Sequence, residues 1–388
     1  AIDGMLQPIV ENSIPFCVVF GNHDEQALSK EEQMKIYMSY PNCYAIDEGD
    51  AISGVGTYNV PIYSRDGQKI VFNLYLFDSG SDDKENGGYD HVKQDQLDWY
   101  VKKSNELKAE NQNHLVPSMV FQHIPIQEMY YTLSASKTGK GIRGIAELKN
   151  YKFTLNSDSF SANNISANKY QEPICCSTVN SGEFNTISEQ GDVFAMYFGH
   201  DHTNTFVSTF NDIDLGYCPG SGFYSYGDDY ERAVRIFEIS SSSPSSYTTR
   251  LVTYKSYFGT KVDNKFHFLL TKYQPKNLTD GILLGVKGLA LLVAIVVAIL
   301  LIVKRPFSKW WKKKVEYAKE NNLPKPTFKE EIGFFFWKIK KAIIKFFKKL
   351  TNPVKVIKEN QKQARKAEIE KNSRYKGKGK GKNKKKKK

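Results

Sequence analysis

An α/β fold is the class that the sequence predicts, and two observations predict it. Three short apolar runs have the length and composition of buried strands: 14–20, 115–120 and 193–198. Helical patterns lie between them, since Ser29 begins a capping box before residues 30–40 and apolar residues recur at helical spacing over 94–107. Strands that alternate with helices are typical of an α/β sheet.

Each apolar run ends in a histidine motif. The motifs are GNHD at 21–24, QHIP at 122–125 and GHDH at 199–202. Four of the seven histidines of the chain lie in these motifs. Ligands bind at the strand ends of open α/β sheets, so the motifs predict a binding site at one edge of the sheet.

The three motifs, in this order, resemble those of the calcineurin-like metallophosphoesterases. Longer stretches resemble the purple-acid-phosphatase-like branch of that family: GYDHVKQDQLDWY at 88–100, FQHIPIQEM at 121–129, GHDHTN at 199–204 and LGYCPGSGFYSYG at 215–227. The resemblance implies a four-layer α/β/β/α sandwich. It also implies that the N-terminal part is missing, because the first two family motifs, Asp-x-His and Gly-Asp-x-x-Asp, do not occur in this sequence.

The same resemblance implies a centre of two metal ions, for which iron, zinc and manganese are candidates, that hydrolyses phosphate esters through a bridging hydroxide. The implied ligands are Asn22, His123 and His200 for the second metal and His202 for the first. His23 would face the leaving-group oxygen as a proton donor or electrostatic stabiliser, and Asp24 would orient His23 and keep it protonated.

His202 is the only implied first-metal ligand in this sequence, so we expect the chain to be an inactive fragment of a metallophosphoesterase. Two other functions stay open: a non-catalytic lumenal binding domain, and a membrane-surface scaffold whose function lies in its tail. Residues 133–192 have few periodic apolar positions and predict a long insertion that acts as a lid or specificity loop.

The net charge of +13 averages two unlike parts of the chain. Residues 1–303 hold 24 basic and 35 acidic residues, whereas residues 304–388 hold 31 basic and 7 acidic ones. The basic part follows 22 residues, 282–303, whose only charge is Lys287. At about 1.5 Å per residue this segment spans about 33 Å, which predicts a transmembrane helix.

Basic residues crowd the C-terminal side of this segment, which predicts a type I topology with residues 1–280 lumenal or extracellular. The predicted organisation is a partial phosphoesterase domain at 1–270, a linker at 271–281, the membrane helix, a basic juxtamembrane segment at 304–350 and a disordered Lys-rich tail at 351–388. An amphipathic helix at 332–350 would lie in the membrane interface. The tail has several possible partners: anionic lipid, a receptor for di-lysine retrieval signals, or no specific partner. A membrane anchor disfavours nucleic acid as a partner.

Overall fold

The computed structural model describes residues 2–263, 268, 278–325 and 327. Its main sheet has six strands in the order β1-β2-β3-β7-β9-β8. Their bounds are β1 (Tyr58–Tyr63), β2 (Ile70–Phe77), β3 (Ser118–Gln122), β7 (Val193–Phe198), β8 (Val207–Phe210) and β9 (Ile213–Tyr217). The four central strands run parallel, and β1 and β8 are antiparallel to their neighbours. The predicted α/β class is confirmed.

Side chains of the main sheet alternate between two cores on its opposite faces. On one face the odd residues of β2, Tyr75 and Phe77, pack with helices α3 (Gln94–Glu110) and α4 (Glu183–Gln190). On the other face Phe72, Leu74 and Leu76 of β2 pack in cores that include α1 (Ile2–Glu11), α2 (Lys30–Met38) and the hairpin of β10 (Ala233–Ser240) and β11 (Ser243–Thr253). Within the described residues this hairpin is separate from the main sheet. The structure therefore supports a mixed α/β fold and does not itself show four layers.

Two local predictions match the structure closely. The Ser29 hydroxyl accepts a hydrogen bond from the Glu32 amide, and the Glu32 carboxylate accepts one from the Ser29 amide, so α2 begins with the predicted capping box. Strands β1 and β2 form the hairpin that the sequence predicts from strand-like runs at 57–63 and 70–77 and a turn at 65–67, with Tyr58 opposite Leu76. These features are determined by residues close in sequence, which is why the sequence predicts them well.

The strand predicted at 14–20 is wrong for the described residues, which form only one isolated bridge in this stretch, between Phe16 and Cys43. The Tyr58 hydroxyl binds both backbone groups of Val18, accepting from its amide and donating to its carbonyl, each at 2.8 Å. A side chain from β1 thus satisfies backbone groups that a neighbouring strand would otherwise bind. The second predicted strand begins three residues later than expected, after Pro117, which has no amide hydrogen to donate.

Part of the predicted insertion is ordered into regular structure. Residues 133–192 contain a small antiparallel sheet in the order β4-β6-β5, and α4 follows it. The strands are β4 (Leu133–Ser136), β5 (Ile142–Arg143) and β6 (Lys152–Leu155). The sequence has no clear signal for these strands, because strands of two to four residues are too short to give a periodic pattern. The role of the insertion as a lid or specificity loop stays a prediction.

The chain divides into two compact units, Ala1–Val286 and Lys287–Lys388. A short helix, α5 (Tyr254–Phe258), follows β11, and a long helix, α6 (Leu278–Glu320), begins within the predicted linker. The predicted membrane span at 282–303 lies in α6, and several of its side chains, 297–303 among them, lie outside the described residues. Over the part that is described, no helix is both long and apolar enough to cross a membrane. The predicted interfacial helix at 332–350 and the tail at 351–388 also lie outside the described residues.

Candidate metal centre

Two neighbouring parallel strands bring two of the histidine motifs together. The register of β3 and β7 pairs Gln122 with Phe198, so His123 leaves its strand beside Gly199 and His200. The amides of Gly199 and His200 both donate to the His123 carbonyl, at 3.1 and 3.0 Å. The backbone itself therefore holds the two motifs together at one edge of the sheet.

Three side chains converge at this edge. His123 Nε2 lies 2.9 Å from Asn22 Oδ1 and 3.0 Å from His200 Nδ1. Ligands bonded at about 2.1 Å to one metal ion lie about 3.0 Å apart when their bonds meet at right angles, and about 3.4 Å apart in a tetrahedron. The two separations thus fit neighbouring ligands of one ion with bond angles near 90°.

Both imidazoles are held neutral by burial. Desolvation, with the neighbouring histidines adding to it, lowers the pKa of His123 to about 3 and that of His200 to about 4. A neutral imidazole has a free lone pair, and this is the form that binds a metal ion. The donor set therefore fits a metal ion in chemistry as well as in geometry.

Gly21 allows the first motif to approach the second. A Cβ atom built on Gly21 would lie 2.9 Å from Cε1 of His123, closer than real Cβ atoms come to other groups. Only glycine leaves this space to the imidazole ring, so the glycine of the GNHD motif has a steric role. Its amide donates to Asp24 Oδ2 at 2.6 Å, which closes the turn that presents Asn22.

His202 lies beside the other two histidines without sharing their contacts in the described structure. Its ring stacks on Tyr226 with centroids 4.3 Å apart, and Nδ1 donates to the Tyr226 carbonyl at 2.9 Å. This hydrogen bond fixes the proton on Nδ1 and leaves Nε2 as the electron-pair donor. The Tyr226 hydroxyl in turn donates to Glu172 at 2.6 Å, which anchors the stacked ring.

The predicted pairing of His23 with Asp24 is not what the structure shows. The Asp24 carboxylate contacts the Gly21 amide, and His23 Nδ1 lies 2.8 Å from Nε2 of Gln26. An amide nitrogen can only donate, so Nδ1 accepts and the proton of neutral His23 is placed on Nε2. Gln26 is thus the side chain that sets the tautomer of His23, while the predicted catalytic roles of His23 and Asp24 stay predictions.

Several groups around His200 have no role in the sequence-based predictions. The Tyr89 ring meets the His200 ring edge-on with centroids 4.4 Å apart. Ligand atoms of Cys175, His200 and Asp201 lie within 4.8 Å of one another. Asp201 is fully buried, and its carboxylate accepts from the Tyr217 hydroxyl at 2.6 Å. Burial raises the pKa of Asp201 to about 8. The GYDH stretch was the only signal for Tyr89, and none pointed to Cys175.

A large cavity adjoins the converging side chains, with a volume of ≈ 770 Å³. Asn22 lines it, together with the buried ion pair of Lys30 and Asp78, whose Nζ and Oδ1 atoms are 2.8 Å apart. We call this the outer cavity. It lies within the size range of small-molecule binding sites.

Comparison with known proteins gives the relatives of the chain. No protein-family model matches it, and no solved structure matches it. It is 32% identical over 258 residues to "Probable inactive purple acid phosphatase 14" of Arabidopsis thaliana, covering 61% of this chain and 57% of the relative. It is 28% identical over 257 residues to "Probable inactive purple acid phosphatase 29" of the same plant, covering 62% and 59%.

A third relative comes from yeast. The chain is 29% identical over 259 residues to "Phosphatase DCR2" of Saccharomyces cerevisiae, covering 62% of this chain and 40% of the relative. The relatives are purple-acid-phosphatase-like. The resemblance predicted from the motifs is thereby confirmed. The chain spans 57% and 59% of the length of the two plant relatives.

Proposed function

We propose that this chain carries the second-metal half of a phosphoesterase site and acts on phosphate esters. The observation that supports this most is the convergence of Asn22, His123 and His200, with donor atoms 2.9 and 3.0 Å apart beside the outer cavity. Purple-acid-phosphatase-like relatives imply a centre of two metals, and iron, zinc and manganese each suit ligands of mixed nitrogen and oxygen type.

Divalent ions bound here would polarise a phosphoryl oxygen and lower the pKa of a water molecule. Side chains of this protein would bind the ions and face the leaving group. Asn22, His123 and His200 would hold one ion, and His202 would offer Nε2 to the other, because its Nδ1–H donates a hydrogen bond to the Tyr226 carbonyl. His23 would face the leaving-group oxygen with its Nε2–H and stabilise the developing charge by a hydrogen bond, because the Gln26 contact places the proton of the neutral ring on Nε2.

A second candidate is a metal-binding domain without turnover. It is favoured by one observation from the comparisons: the names of the two plant relatives contain the word "inactive".

Metal content and turnover, measured on the same samples, separate the two candidates. We expect His123→Ala and His200→Ala to lose bound metal, measured by elemental analysis, and to lose hydrolysis of an aryl phosphate wherever the parent chain shows it. His114→Ala is the matched control, because His114 is exposed and lies outside the three motifs. Metal lost in both variants with no turnover in the parent supports the binding domain. Equal metal content in the parent and in both variants overturns both candidates.

The type I topology, the membrane anchor and the interfacial helix stay proposals. Deleting 331–388 tests whether the tail carries the function, as a scaffold protein requires. Unchanged location and unchanged partners after this deletion overturn the scaffold hypothesis.

A further inference from the structure

A second group of metal-ligating side chains lies on the loop between β2 and α3. Ligand atoms of Asp83, Asp90 and His91 all lie within 4.8 Å of one another. Atoms bonded to one ion at about 2.1 Å can be separated by at most about 4.2 Å, so small rotations of these side chains bring all three into one coordination sphere. We call this group the loop site, and it shares no residue with the candidate metal centre.

A small cavity behind the loop site gives independent evidence for a ligand. It has a volume of ≈ 20 Å³ and is lined by Asp90, His91, Gln122 and Glu183, among others. Gln122 and Glu183 are each only 4% exposed, and Oε1 of each lacks a hydrogen-bond partner among the described residues. Nδ1 of His91 is also buried and makes no hydrogen bond there, although it lies 3.4 Å from Asp90 Oδ1. Unpartnered buried polar atoms are costly, so the two Oε1 atoms beside this cavity point to something that binds them.

The loop prepares its carboxylates for a cation. Asp83 accepts hydrogen bonds from the amides of Glu85 and Asn86 at 2.9 Å and from the Asn86 side chain at 3.0 Å. These bonds, chiefly the one from the Asn86 amide, lower the pKa of Asp83 to about 2 and keep it ionised. Burial lowers the pKa of His91, which keeps its lone pair free.

Asp90 is positioned by glycine and by a lysine. A Cβ atom on Gly80 would lie 2.5 Å from Asp90 Oδ2, so the carboxylate occupies the space that glycine leaves. The Lys93 ammonium group donates a hydrogen bond to Asp90 Oδ1. Lys93 is 38% exposed and can turn into solvent, so a cation of higher charge can displace it from Asp90.

We propose that the loop site binds one divalent transition-metal ion through Asp83, Asp90 and His91. The cavity behind it has room for one water-sized ligand, which the oxygens of Gln122 and Glu183 bind. Two carboxylates and one imidazole suit manganese(II), whereas calcium and magnesium prefer oxygen ligands alone.

The loop site is also linked to the candidate metal centre through the backbone. The Ile124 amide, next to His123, donates to the hydroxyl of Ser79 at 2.9 Å, and Ser79 is on the same loop as Asp83. Gln122, which lines the small cavity, precedes His123 directly. An ion in the loop site would therefore stiffen the segments that carry His123.

Titration of the whole chain with manganese(II) alone, with free ion counted by electron paramagnetic resonance, tests the proposal. We expect His91→Ala and Asp90→Asn each to lose one bound equivalent. Glu183→Gln should weaken that equivalent about 10-fold, because it loses a group that orients the ligands. Asp82→Asn is the matched control and should lose none, because Asp82 is exposed on the same loop and outside the group.

His123→Ala keeps this test separate from the proposed function. If the phosphoesterase proposal fails, His123→Ala binds as much manganese as the parent, while His91→Ala still loses one equivalent. The loop site is overturned if His91→Ala and Asp90→Asn, each folded by circular dichroism, bind the same number of ions as the parent with affinities within about 2-fold. It is also overturned if Asp82→Asn loses the same equivalent, since binding would then follow the charge of the loop.

Discussion

Replacing Glu183 by Gln tests how burial of one carboxyl group sets the pH dependence of stability. Burial is the main cause that raises the pKa of Glu183 from 4.5 to about 8. The hydrogen bond that its carboxyl group accepts from Gln122 Nε2 is long, at 3.4 Å. Because the folded state binds this proton more tightly than the unfolded state, the contribution of Glu183 to the free energy of unfolding is highest below pH 4.5. This contribution falls as the pH rises from 4.5 to about 8 and is constant above that.

The size of the effect follows from the two pKa values. At about 1.4 kcal/mol for each pH unit, a rise from 4.5 to about 8 removes about 5 kcal/mol of stability above pH 8. Glu183 is the first residue of α4, where the helix dipole favours a negative charge by up to about 1 kcal/mol. We therefore expect the ionised carboxyl group to cost about 4 kcal/mol, and Gln, which does not ionise, to avoid this cost.

Urea unfolding with EDTA present, at pH 4 and at pH 8, measures this directly, because EDTA keeps ions away from the carboxyl group. Glu183→Gln should be about 4 kcal/mol more stable than the parent at pH 8 and equal to it within about 1 kcal/mol at pH 4. Glu189→Gln is the matched control, since Glu189 is exposed on the same helix. The reasoning is refuted if the parent and Glu183→Gln lose the same free energy of unfolding between the two pH values.

Two further substitutions test contacts at the sheet edge. Gly21→Ala places a methyl group 2.9 Å from Cε1 of His123 and should weaken metal binding at the candidate centre about 10-fold, measured by titration calorimetry; unchanged affinity would contradict the steric role of this glycine. Lys30→Met leaves Asp78, whose side chain is 2% exposed, without its cation and should cost about 3 kcal/mol in urea unfolding at pH 7; a loss below about 1 kcal/mol would show that the pair is not needed for folding. Gly4→Ala is the matched control for Gly21→Ala, because a Cβ atom at Gly4 meets open space. Lys35→Met is the matched control for Lys30→Met, because the Lys35 side chain is exposed.

The sequence predicted the parts of the structure that nearby residues determine. The capping box at Ser29 and the β1–β2 hairpin follow from local pattern alone. The meeting of His123 and His200 follows from two apolar runs that end alike, because neighbouring parallel strands place such ends side by side. These predictions depend only on local sequence patterns and on the motifs at the ends of the predicted strands.

Contacts between residues that are distant in the sequence could not be predicted from sequence patterns. Val18 binds the hydroxyl of Tyr58 instead of a neighbouring strand, across 40 residues. His202 takes its orientation from Tyr226, 24 residues away, and no spacing rule joins these two positions. Gln26 replaces Asp24 as the partner of His23 because the turn commits the Asp24 carboxylate to the Gly21 amide. In each case the deciding contact is specific to the folded structure and has no signal in the sequence pattern.

The loop that follows β2 contacts α2 and the segments that carry His123 and His200. Its first residue, Asp78, binds Lys30 of α2, and its second, Ser79, accepts from the amide that follows His123. Further along, Asp83, Asp90 and His91 form the loop site, and Tyr89 contacts the ring of His200. One segment therefore touches α2 and both neighbouring histidine motifs. The positions of His123 and His200 depend on how firmly this loop is held, and a cation bound by two of its carboxylates would hold it more firmly than the single exposed lysine that binds Asp90.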